Sequence, residues 1–82
     1  MSNSYLWKKE FERKCPCAMC LDSYANMQTD KEIEFLCCHI EELDNGTKYI
    51  ATYTSTSDNK SLIVSCTVDK QRNYSYKVIQ AL

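Results

Sequence analysis

Glycine and proline are nearly missing from this sequence, with Gly46 and Pro16 the single examples in 82 residues. One glycine leaves no loop that can cradle a phosphate by close backbone approach. One histidine, His39, leaves no second imidazole for an acid–base pair. The net charge is only −1, so the basic excess of a dedicated nucleic-acid-binding domain is lacking. No apolar run approaches the roughly 18 residues of a membrane span. Met1-Ser2-Asn3-Ser4 leads directly into Tyr5-Leu6-Trp7-Lys8-Lys9-Glu10, without the apolar centre of a signal peptide. These absences predict an intracellular protein of the cytoplasm or nucleus, with no membrane association.

What is present fits a folded chain. Apolar residues make up 44% and charged residues 26%, close to ordinary globular usage. The length predicts one domain, 1–82, whose modest core needs a staple. Six cysteines offer one. In a secreted domain they would form disulfides, with about 15 pairings open to them. In a reducing compartment such a pattern is more often metal-binding. The sequons at Asn45, Asn59 and Asn73 would matter only on secretion. Each also falls at a predicted turn, where asparagine serves the backbone.

The periodicity divides the chain into a helical, zinc-knuckle segment over 1–31 and an antiparallel sheet over 32–82. A short helix is predicted over 3–14, capped by Ser4, with Trp7 and Phe11 on one face. Pro16 ends it, and a turn from Cys15 to Cys20 follows. Leu21, Tyr24 and Met27 mark a second short helix. From Glu32 the period becomes two. Ile33, Phe35 and Cys37 alternate with Glu32, Glu34 and Leu36. Asn45-Gly46 predicts a type I′ hairpin with positive φ. Tyr49, Ala51 and Tyr53 share a face, as do Leu62, Val64, Cys66 and Val68, and again Tyr74, Tyr76 and Val78. Turns are expected at 57–60 and 70–73. The predicted fold is α+β: a short N-terminal helix and a zinc knuckle packed on a four-stranded antiparallel β-meander. Leu6, Trp7 and Phe11 are the expected cover of the sheet.

Cys15-Pro16-Cys17-Ala18-Met19-Cys20 sets three thiols within six residues. A C-x-x-C turn wraps backbone around an ion so that two thiolates converge on it, and tetrahedral zinc favours cysteine and histidine. The remaining ligands are sought at Cys37, Cys38 and His39. On a regular strand Cys37 and Cys38 face opposite ways, whereas Cys37 and His39 share a face with Cα atoms ~6.6 Å apart. A bulge would alter this. Two structural-zinc sites follow. One joins Cys15, Cys17 and Cys20 to a single ligand from 37–39. The other joins Cys17 and Cys20 to Cys37 and His39. The plainer reading of Cys66, set among Leu62, Val64 and Val68, is a small buried hydrophobe.

No catalytic constellation is visible. Cys38 and His39 diverge as strand neighbours and cannot form a nucleophile pair. The carboxylates at Glu32, Glu34, Glu41, Glu42 and Asp44 read as a solvated face and turn. The leading expectation is therefore a non-catalytic, zinc-stabilised protein-interaction module with a host or viral protein partner. Exposed strand edges add a homodimer. The alternative is an RNA- or nucleic-acid-binding zinc domain using Lys8, Lys9, Arg13 and Lys14, with Trp7 as a stacking platform.

The C-P-C-x-x-C turn resembles the C-x-C-x-x-C element of polyomavirus small t antigens, over these six residues alone. The wider pattern, Cys37-Cys38-His39 followed by a Thr- and Tyr-rich meander, resembles accessory non-structural proteins of avian and related coronaviruses. That resemblance implies a non-catalytic viral accessory protein acting on host factors, dampening innate defence.

Overall fold

The computed structural model describes Lys9, Arg13 and residues 18–82. Lys9 and Arg13 have helical backbone and exposed side chains, in keeping with the helix predicted over 3–14. Leu6, Trp7 and Phe11, its expected apolar face, lie outside the described residues.

Within residues 18–82, four strands follow one helix. Helix α1 spans Ala18–Met27, and the strands are β1 (Ile33–Leu43), β2 (Gly46–Ser55), β3 (Ser61–Asp69) and β4 (Tyr74–Gln80). The sheet order is β1-β2-β3-β4 with every pair antiparallel, so the predicted α+β meander is what forms. The period-two pattern places Tyr53, Ala51, Leu62, Val64 and Cys66 on one face, where all are buried. Helix α1 covers that face, lying chiefly over β3. Its buried stripe is Leu21 and Ala25, one turn apart. Met27, expected on that stripe, is 80% exposed, because the 3.6-residue period carries it round to the side of the helix. The helix is fixed by two further contacts. Tyr53 Oη donates to Asp22 Oδ1 at 2.7 Å, and the Tyr24 and Tyr76 rings lie 5.3 Å apart.

The helix begins earlier than expected. Ala18, Met19 and Cys20 are helical, so the second half of the predicted Cys15–Cys20 turn is the first turn of α1. The other half, Cys15 to Cys17, lies outside the described residues.

Strand β1 departs from simple alternation. Phe35 pairs with Tyr53 and Cys37 with Thr52, leaving Leu36 as the extra residue of a β-bulge. The bulge reverses the faces beyond it. Ile33 and Phe35 face the core, and then Cys38 and Ile40, opposite Ala51 and Tyr49, take over that side. Cys37 thus does not continue the face of Phe35, as strict alternation had predicted.

The turns use other chemistry than expected. Leu43 pairs with Gly46, so the loop residues are Asp44 and Asn45. Neither they nor Gly46 has positive φ, which excludes the type I′ turn. Gly46 is there for space: a Cβ would meet the Val68 carbonyl oxygen and approach Asp69 Cα to 2.8 Å. Among the described residues the positive-φ positions are Asn59, at 58°, and Arg72, at 67°. Around Arg72, Asp69 Oδ1 accepts from Gln71 N at 2.8 Å and from Asn73 N at 2.9 Å. The bonds from Asn73 hold the Asp69 carboxyl below its ordinary range.

Candidate functional site

The sequence singled out Cys15, Cys17, Cys20, Cys37, Cys38 and His39. The described residues place four of these six. Cys20 is exposed on the first turn of α1. It sits on the flank that faces β4, beside Tyr24 and Tyr76. The other three lie on β1, at the opposite edge of the sheet. Three strand spacings separate those edges, about 14 Å. The fold therefore does not bring Cys20 to the 37–39 segment.

The bulge at Leu36 sorts the β1 candidates. Cys37 and His39 pair with Thr52 and Ile50 and share the face turned away from α1. Cys38 pairs with the buried Ala51 and packs against the core on the helix side. Cys66 is fully buried on the same side, in keeping with the small-hydrophobe reading. Among the described residues no group of three or more His, Cys, Asp or Glu side chains could hold a metal ion. The donor set does not close through Cys20 and β1. On β1 the helix side offers Cys38 and the opposite side Cys37 and His39, while Cys15 and Cys17 lie outside the described residues.

A second feature was only partly visible in the sequence. An open groove of 560 Å³ runs between α1 and β4, lined by Met19, Cys20, Ser23, Tyr24, Met27 and Tyr76. Met19 and Met27 are 81% and 80% exposed, an unusual placement for two large apolar side chains on one short helix. Their spacing of eight residues sets them two turns apart on one flank, above β4. No lining residue carries a formal charge. Methionine is flexible and polarisable, and tyrosine combines an apolar ring with a polar tip, so this lining suits contact with another protein. The signal available in the sequence was the Met19–Met27 spacing, masked by treating Met27 as core.

Among the described residues no helix is long and apolar enough to cross a membrane. Comparison with protein-family models, with curated proteins and with solved structures finds no match for this chain.

Proposed function

We propose that this protein is a non-catalytic protein-interaction module that engages a protein partner through the flank formed by α1 and β4. The observation that carries this reading is the uncharged groove between Met19, Met27, Tyr24 and Tyr76. Exposed methionine and half-buried tyrosine lose unfavourable hydration on contact with a second protein surface, whereas a nucleic acid would seek cations there. The viral accessory resemblance extends the reading to host-directed action.

A photo-crosslinking amino acid at Met27 tests the interaction. A discrete protein adduct, identified by mass spectrometry and absent when the probe is moved to Gln71, supports it. Adducts to RNA alone, with steep salt dependence, would replace it by the nucleic-acid reading.

A structural zinc is the second part of the proposal, held by the front cysteines with Cys38 as the β1 ligand. It rests on the donor chemistry of Cys15 and Cys17 and on the helix-side placement of Cys38. Native mass spectrometry with and without chelator reads the stoichiometry. One zinc per chain, lost in Cys38→Ser and retained in Cys37→Ser and His39→Ala, supports this ligand set. Retention in Cys38→Ser removes Cys38 from it, and paired-hydrogen mass loss without metal replaces zinc by disulfides.

A further inference from the structure

We propose that the Asn45–Gly46 bond is a site of spontaneous imide formation which the folded sheet holds closed, so that the reaction marks chains whose first hairpin has opened. The chemistry needs no enzyme. The amide nitrogen of Gly46, its proton taken up by water or hydroxide, attacks Cγ of Asn45. The Cγ–Nδ2 bond breaks and ammonia leaves, closing a cyclic imide. Water then adds at Cγ or at the backbone carbonyl carbon, giving aspartate or isoaspartate at position 45 with no change of oxidation state. A side chain on the residue after asparagine hinders the attack, and Gly46 is the single glycine of the chain. Asn3, Asn26, Asn59 and Asn73 precede Ser4, Met27, Lys60 and Tyr74 instead. Asn45 is exposed, so water reaches it.

The fold clamps this peptide from both sides. Lys70 N donates to the Asn45 carbonyl oxygen at 3.0 Å, which turns the backbone groups of residue 45 towards β3. Bonding direction alternates along a strand, so the Gly46 N–H points the other way, to Leu43 across the two-residue loop. The Asn45–Gly46 peptide is therefore held between β1 and β3. Gly46 is also pressed against β3 itself, where an added Cβ would meet the Val68 carbonyl oxygen. Attack on Cγ needs the Gly46 N–H released to solvent and the peptide plane turned. Both movements break the clamp. The closed hairpin thus reacts through its openings, and the rate follows their population when they are faster than the chemistry.

The isoaspartate branch leaves a lasting mark. It routes the chain through Cβ and Cγ and so inserts an extra backbone atom before Gly46. The Leu43↔Gly46 and Gly46↔Asp69 pairs then lose register together, at the corner where the first and third turns meet. The other asparagine at that corner is held differently. Asn73 gives its Nδ2 to Asp69 Oδ2 at 3.0 Å and is followed by a tyrosine.

Peptide mapping by mass spectrometry tests this with the full chain at mildly alkaline pH. Conversion of Asn45 in buffer should be at least roughly tenfold slower than in denaturing urea at the same pH, since each opening breaks two backbone hydrogen bonds. Equal rates overturn the proposal. Lys70→Pro tests the clamp. Proline suits this position, because Arg72 N donates to Asp69 O at 3.0 Å and makes Lys70 the second residue of a β-turn. It removes the N–H that holds Asn45. The variant should convert about 2- to 10-fold faster than the parent in buffer and at the parent's rate in urea. A variant folded by circular dichroism that keeps the parent's rate in buffer overturns the clamp. Amide hydrogen exchange of the parent gives a reading that needs no variant. The Gly46 and Lys70 N–H groups should be protected by the factor that slows Asn45, within about threefold, and unprotected exchange at either removes the clamp. The isoaspartyl chain, separated by charge, should unfold at lower urea than the parent, and equal stability overturns the loss of register.

Discussion

Strands β1 and β4 close the same sheet at its two sides, yet they present opposite characters to solvent. β1 is long, interrupted at Leu36 and lined with carboxylates. β4 is short, regular from Tyr74 to Val78 and carries one charge. Both are outer strands of the described sheet, the position in which an unprotected strand can pair with another chain. The difference shows that the devices opposing strand pairing collect on β1. It also shows where the chain's apolar surface collects. Met19, Met27 and Tyr76 lie on the β4 side, while the exposed Leu36 belongs to the bulge that interrupts β1.

The largest expected effect concerns what both edges share, the β2–β3 centre. Leu62 is buried beside Tyr53, and Leu62→Ala should cost about 2–5 kcal/mol in chemical denaturation. A loss well below that would mean that the sheet centre does not anchor its edges.

Gly46→Ala comes next. The new methyl meets the Val68 carbonyl oxygen, so β2 must shift from β3 where the first and third turns meet. A loss of about 1–3 kcal/mol is expected from such overpacking. A neutral result would return Gly46 to a role in turn conformation.

Removal of Leu36 sharpens the comparison directly. The deletion sets Cys37 after Phe35 and keeps both the Phe35↔Tyr53 and Cys37↔Thr52 pairs, so every later residue retains its face. Stability should change by less than about 1 kcal/mol, since Leu36 is 48% exposed. Self-association should rise, and rise again with Glu34→Gln and Glu41→Gln. If sedimentation shows no change in either variant, bulge and carboxylates are not what guards β1.

The smallest effect is electrostatic. Lys31 Nζ donates to Asp58 Oδ2, tying the segment before β1 to the β2–β3 turn. This bond, with one from Ser55, lowers the Asp58 pKa to about 2. A depressed carboxylate contributes stability that is present above its unfolded value of 3.8 and is lost as pH falls towards 2. Carboxyl NMR should find Asp58 still ionised near pH 3, and Lys31→Ala should move its titration back towards the ordinary range. The pair is exposed, so melting temperature at neutral pH should barely respond.

Most of the sheet was legible because alternation and turn residues are local signals. Tyr49, Ala51 and Tyr53, then Leu62, Val64, Cys66 and Val68, sit on the face that period two assigns them. The hairpin predicted at Asn45-Gly46 turns one residue earlier, at Asp44-Asn45, and the glycine answers to β3 across the sheet and not to its own φ. The candidate metal site was legible only as a set of donors. Nothing local distinguishes Cys37 from Cys38, because the bulge that reverses them depends on how β1 meets Tyr53 and Thr52 of the neighbouring strand.

The sequence by itself determined the strands, their order and the residues available for chemistry, since each follows from periodicity or residue type within a few positions. Only the tertiary structure decided which side each donor faces, that Cys20 stands across the sheet from Cys38, and that Met19 and Met27 flank an edge strand from the far end of the chain. Those are relations between segments distant in sequence. They are set by register and packing, where a single extra residue such as Leu36 turns a strand over, and no local pattern contains that information.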